Sequence, residues 1–154
     1  MATTKRKRNT ARAAPFYGFK IQLIIDENCL PVDYFVLAGS FADVTALQSM
    51  SIHLPAGSEL YGDKGYTDYQ QEDLYAEHEQ IFLRIHRKTN SHRPDAAWDV
   101  FLKNHFRKPI EGVFNQITDL FPRSIHAVTA KGFLLKVFLF LLAYTFDGLT
   151  PDLL

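Results

Sequence analysis

Ser58-Glu-Leu-Tyr-Gly-Asp-Lys-Gly-Tyr-Thr67 is the stretch on which the reading of this chain turns. Leu60 and Gly62 alternate with Glu59 and Tyr61, so the run opens as a short strand. Asp63 stands where that strand ends, Gly65 marks a turn, and a helix start follows. Forty-eight residues on, Phe106-Arg-Lys-Pro-Ile-Glu-Gly-Val-Phe114 takes a basic cluster into an amphipathic helix that carries Glu111. A carboxylate at a strand end and one on a later helix are the oxygen donors that a hard divalent cation takes, commonly together with substrate phosphates.

Working outward from Asp63, the pattern is α/β. Phe16–Asp26 alternates over Phe19, Ile21, Leu23 and Ile25, and Val32–Ala38 is β-rich, with the short Glu27–Pro31 between them. This is a hairpin signal. A helix is expected over 42–51 with Val44, Leu47 and Met50 inward, and Asp43 near its start suits the helix N-terminus. Thr67 and Gln70 have capping-box spacing, so a helix should run over 68–79. A strand over 80–85, a basic loop over 84–93 and a helix over 96–106 with Trp98 as a core residue come next. Pro109 in a first turn opens the Glu111 helix, whose stripe is Ile110, Val113, Phe114, Ile117, Leu120 and Phe121. There a first-turn interaction is the alternative role for Glu111, as a turn aspartate before glycine is for Asp63. The last helix, over 129–146, is apolar nearly all round and reads as a buried core helix, too short in its uninterrupted apolar run for a membrane span.

The 154 residues fit one domain, and 47% hydrophobic with 22% charged residues supports a real core. A lone cysteine, Cys29, excludes an internal disulfide and a cysteine-based zinc cluster. Net charge is zero, but the charges are segregated. Residues 1–20 hold six bases and no acid, residues 21–79 eleven acids against Lys64, and residues 80–136 ten bases against four acids. Such blocks suit a cation site that approaches phosphates, or two solvated faces of opposite sign. Residues 1–15, with Lys5-Arg-Lys-Arg8, read as a disordered basic arm, 16–146 as the folded domain and 147–154 as a tail.

Several of these runs together resemble the catalytic domain of bacterial insertion-sequence transposases of the DDE class. Phe16-Tyr-Gly-Phe-Lys-Ile-Gln-Leu-Ile24 is similar to the family's hairpin motif, and Gly39-Ser-Phe-Ala-Asp43 to the segment before its first helix. Tyr61-Gly-Asp-Lys-Gly-Tyr-Thr67 is similar to its second-aspartate motif, Arg107-Lys-Pro-Ile-Glu111 to its glutamate motif, and Ser124-Ile-His-Ala-Val-Thr-Ala130 with 133–142 to its C-terminal end. The resemblance implies an RNase H-like mixed sheet with flanking helices, and three carboxylates holding two Mg²⁺ (or Mn²⁺) ions for DNA strand cleavage and transfer. Asp63 and Glu111 map to the second and third acids, as catalytic and metal-binding residues. The first acid would lie on a strand before the hairpin; residues 1–15 contain no Asp or Glu. The chain therefore resembles a transposase domain lacking its first strand and first aspartate, truncated and catalytically impaired. Asp26 and Glu27 at the hairpin turn, and Asp33 on its second strand, are poorly placed as substitutes. Pro109 departs from the pattern, since the family usually has a basic residue there.

The implied partner is DNA, at element ends and target. Lys64, Arg107, Lys108, Arg87 and Lys88 are the expected phosphate contacts, with Arg84 and Arg93 on the same loop. A homo-oligomer or association with an intact transposase is expected, no membrane partner, and a cytoplasmic, nucleoid-associated location in bacteria. Two other readings stay open: a non-catalytic DNA-binding or regulatory fragment that interferes with an intact transposase, and an unrelated small α/β enzyme with a deep apolar pocket near Asp63.

Overall fold

A computed structural model describes residues 18–122 and 125–149. The expected basic arm, the opening residues of the hairpin motif, Ser124 and the end of the tail lie outside the described residues. The order is β1 (Phe19–Ile25), β2 (Pro31–Ala38), α1 (Asp43–Ser49), β3 (Glu59–Gly62), a 3₁₀ turn (Lys64–Tyr66), α2 (Tyr69–Leu74) with a π-helical turn (Tyr75–Glu79), β4 (Phe82–Ile85), α3 (Ala97–Leu120) and α4 (Ala130–Leu149). This is a mixed α/β arrangement. The expected single mixed sheet is corrected: among the described residues the strands form two separate two-stranded sheets, β1-β2 and β3-β4. A strand that would join them is not found among the described residues, so each pair stops at two.

The chain divides into two compact units. One holds β1 as far as Gln22 and Phe35–Lys108; the other holds Leu23–Tyr34 and the residues from Pro109 on.

In the first unit, β3 and β4 pair in parallel, Leu60 against Leu83 and Gly62 against Ile85. These four face inward, while Glu59, Phe82 and Arg84 are exposed. The parallel pairing requires a crossover, which α2 and its π-helical turn supply. Asp68 caps α2, accepting from Gln70 N at 3.1 Å and Gln71 N at 3.2 Å. That corrects the expected capping box, because the Thr67 hydroxyl donates instead to Lys64 O at 2.9 Å. Gln80, at φ 55°, ends the helical stretch in the left-handed region. Ala46, Leu47, Met50, Leu60, Tyr66, Leu83 and Ile85 form the core, as expected for Leu47 and Met50.

In the second unit the hairpin tip is closed by Asp26, whose Oδ1 accepts from Asn28 N and Leu30 N, both at 2.9 Å. Ile110 and Val113 are buried on α3, and Val137, Leu141 and Tyr144 on α4. Tyr144 Oη donates to Gln116 Oε1 at 2.5 Å, and Phe121 stacks on Phe140 at 4.4 Å.

Three expectations about helices are corrected. The helices read over 96–106 and from Pro109 are one helix, α3, with Pro109 in its interior. Proline there forfeits one backbone hydrogen bond without ending the helix, because residues on both sides have strong helical spacing. Trp98 is 66% exposed, stacked on Phe101, and not a core residue. Nor is α4 a buried core helix. It is long and apolar enough to cross a membrane, with mean hydropathy 1.7, yet only 17% of that stretch is buried. An apolar run states what a helix prefers; how many sides are covered depends on how many elements reach it.

Candidate functional site

Asp63 closes β3. Its Oδ1 accepts from Lys64 N at 2.8 Å, and Tyr66 N donates to Asp63 O at 3.0 Å, so the carboxylate begins the 3₁₀ turn. Among the described residues no hydrogen bond or ion pair engages Oδ2. The turn-aspartate geometry is thus present, with one oxygen left over. Gly65 then passes so near Asp43 that a Cβ on it would lie 2.6 Å from Asp43 Oδ2. Asp43 Oδ1 pairs with Lys20 Nζ at 2.9 Å, and that ammonium also donates to Phe41 O at 2.7 Å. The hairpin lysine therefore anchors the start of α1, and α1 lies against the turn that carries Asp63. Sequence reasoning placed Asp43 at the helix start but missed this lysine partner.

On the outward face of β3, Tyr61 stacks on Phe106 of α3 at 4.6 Å and donates to Glu59 Oε2 at 2.7 Å. Burial, then the bond to Glu59, push the Tyr61 phenol up to about 12. Conversely, Tyr61 and then Arg84 hold the Glu59 carboxyl below its ordinary range. Arg107 and Lys108 follow Phe106 directly, so the same stack fixes the part of α3 from which they project. A cavity of about 140 Å³ beside Tyr61 is lined by Arg84, Trp98, Asp99 and Leu102 among others. It falls short of the ~300–1,000 Å³ of ordinary ligand pockets.

The expected phosphate contacts separate into two groups. Lys64, Lys88 and Lys108 are exposed, without an ion pair among the described residues. Arg107 is half-buried. Arg87 is committed elsewhere: its guanidinium holds both oxygens of Glu72, at 2.7 and 2.5 Å, with only 12% of its side chain exposed. Asp95 lies 4.0 Å from Arg87 and accepts from buried Lys103, which also donates to Ile85 O at 2.9 Å. Two acids and two bases thus neutralise one another beneath the basic loop. Arg84 and Arg93 are likewise paired, with Glu59 and Asp73. The alternation of signs between Glu72 and Arg87 is present in the sequence, but no local spacing announces the pairing.

Glu111 belongs to the second unit and is exposed. Because α3 begins at Ala97, Glu111 is well inside the helix, and the first-turn interaction considered for it does not apply. Among the described residues no group of three His, Cys, Asp or Glu gathers for a metal ion. The donor chemistry at Asp63 and Glu111 suits a hard cation, but a complete two-metal set is not assembled by the residues described.

Asp63 thus ends a strand and Glu111 lies inside a late helix of one mixed α/β chain. Residues 2–126 match the profile of the family described as Transposase DDE domain, and the chain belongs to that family. No curated protein and no solved structure matches significantly.

Proposed function

We propose that this chain acts on DNA as a DDE transposase domain of RNase H-like lineage, and that by itself it is impaired in strand cleavage. The family match, which spans both carboxylate motifs, carries the reading. Membership implies DNA as the partner and a divalent metal as the usual cofactor. Asp63 and Glu111 are the proposed ligands of a Mg²⁺ or Mn²⁺ ion, which when bound would supply Lewis-acid stabilisation at a phosphodiester. The free Oδ2 of Asp63 supports its part in this. Among the described residues no third acid gathers with others into a metal-binding group, which supports impairment.

Lys64, Lys88 and Lys108 are the proposed phosphate contacts, together with Arg107. Arg87, held by Glu72, serves mainly to fix the loop that presents Lys88. Occupation of DNA without cleavage, or pairing with an intact transposase, would make the chain a regulator of transposition; that is the second reading. A cytoplasmic, nucleoid-associated location follows from the same reading.

The test is supercoiled-plasmid nicking with and without Mg²⁺ or Mn²⁺, using the wild-type chain, Asp63→Ala and Glu111→Ala, beside DNA-binding titrations at several salt concentrations. Salt-dependent binding with little nicking is expected. Metal-dependent nicking that both substitutions abolish would overturn impairment and establish a working site. A folded chain that binds no DNA would overturn the reading as a whole.

A further inference from the structure

Among the described residues, helix α4 is covered on one side only. Val137, Leu141 and Tyr144 turn inward, and Gly148 lies so close to the hairpin tip that a Cβ there would come within 2.5 Å of Leu30 Cδ2. The opposite side carries Leu135, Leu139, Leu142 and Leu149, exposed by 58, 47, 39 and 60%. Their spacing of i, i+4, i+7 and i+14 draws one straight stripe, about 21 Å long at the helical rise. Scattered apolar residues are normal on a surface, but an aligned row of this kind marks an interaction site. Lipid on all sides would require α4 to give up its packed face and the bond from Tyr144 to Gln116.

We propose that this stripe is a homodimer seam, in which α4 packs antiparallel against α4 of a second copy about a two-fold axis at Leu142. Leu135, Leu142 and Leu149 are symmetric about that residue, Leu135 and Leu149 each lying seven positions away, while Leu139 has Thr145 as its counterpart. The charges agree. Lys136 and Asp147 are eleven residues apart, about three turns, and so share one flank. An antiparallel axis near Leu142 brings Lys136 of each copy beside Asp147 of the other. A parallel two-fold would carry this flank to opposite sides of the seam in the two copies, leaving both charges without a partner across it, and would also align the helix dipoles unfavourably. Lys136 Nζ meanwhile donates to His126 O within its own chain, which keeps its ammonium on that flank. An isologous contact of this kind closes as a dimer and does not propagate.

The proposal does not depend on DNA cleavage, and its readouts are mass and cross-linking, so its failure leaves the transposase reading untouched. Sedimentation velocity of the full chain, over a wide concentration range and without lipid, is expected to show a monomer–dimer equilibrium. Leu142→Glu, which places two carboxylates across the axis, should weaken it about a hundredfold with unchanged helicity. In a Cys29→Ser background, Leu142→Cys should form a disulfide dimer under mild oxidation, whereas Leu135→Cys should not, since its antiparallel neighbour is Leu149. A monomer at every concentration would overturn the seam, as would a dimer indifferent to Leu142→Glu. Association seen only with phosphatidylcholine–phosphatidylglycerol vesicles would assign the stripe to a membrane surface. Equal cross-linking at Leu135→Cys would overturn the antiparallel arrangement.

Discussion

Gly65 shows how little room surrounds Asp63. A methyl group there would meet Asp43 Oδ2 at 2.6 Å, and Asp43 cannot swing aside freely while Lys20 holds its other oxygen. Gly65→Ala should therefore cost about 1–3 kcal/mol in urea unfolding, the usual range for inserting a methyl into a filled space. The cost should largely vanish in an Asp43→Ala background, where the opposing oxygens are gone. An equal cost in both backgrounds would show that the contact is not its cause. At this scale the sequence was informative about residue type and blind to partners. Asp63 was legible as a strand-end carboxylate because alternation, glycine and helix start follow in order. Lys20 and Asp43 were legible only as members of two separate runs, since 22 intervening residues say nothing about which groups will meet.

Among the elements, α3 is the one in which local signals conflict. Pro109 reads as a helix start, yet the helix runs through it from Ala97 to Leu120. The boundary between the two units falls at the same peptide, between Lys108 and Pro109. A proline inside a helix is worth up to about 3 kcal/mol relative to alanine, offset partly because proline also restricts the unfolded chain. Pro109→Ala should thus raise stability by about 1–2 kcal/mol and increase helicity by circular dichroism. A loss of stability would mean that the proline ring makes packing contacts worth more than the missing hydrogen bond. Elements whose local signals agree were read correctly: the alternating hairpin strands, α1, and β3 with β4. Where a boundary rested on one residue with two meanings, as with Pro109 or Thr67, the surrounding contacts chose between them.

Across the whole molecule, the acidic and basic blocks are opposed along the chain but joined in space. Glu59 meets Arg84, Glu72 meets Arg87 and Asp73 meets Arg93, each pair linking the acidic block to the basic one within the first unit. The pairs are not equivalent. Arg93 and Asp73 are about half exposed, so their bond is screened and contributes little. Arg87 and Glu72 are nearly enclosed, and removing one partner strands the other in a poorly solvated place. Glu72→Ala is expected to cost about 3–5 kcal/mol, whereas Asp73→Ala, at a solvent-screened pair, should leave the unfolding midpoint almost where it is; comparable unfolding midpoints for the two variants would contradict the burial argument. The pairing also changes what charge implies about DNA. Of the arginines counted toward phosphate contact, Arg84, Arg87 and Arg93 are already engaged by carboxylates. In the proposed reading, phosphate contact then falls to the exposed lysines at 64, 88 and 108, together with Arg107.

The sequence by itself determined the α/β alternation, the hairpin, the strand-end Asp63, the helical Glu111 and membership in the transposase DDE domain family. These rest on interactions between near neighbours, namely side-chain alternation, turn chemistry and helical spacing, which a linear string displays. The tertiary structure alone decided that the strands form two small sheets, that Arg87 is bound to Glu72, that Asp43 abuts Gly65 and that α4 keeps a leucine stripe uncovered. Each of these depends on which distant surfaces come together, and therefore on how many sides of an element are left facing water. Hydrophobicity along the chain measures the tendency to be buried, whereas burial itself is a property of neighbours that only folding supplies.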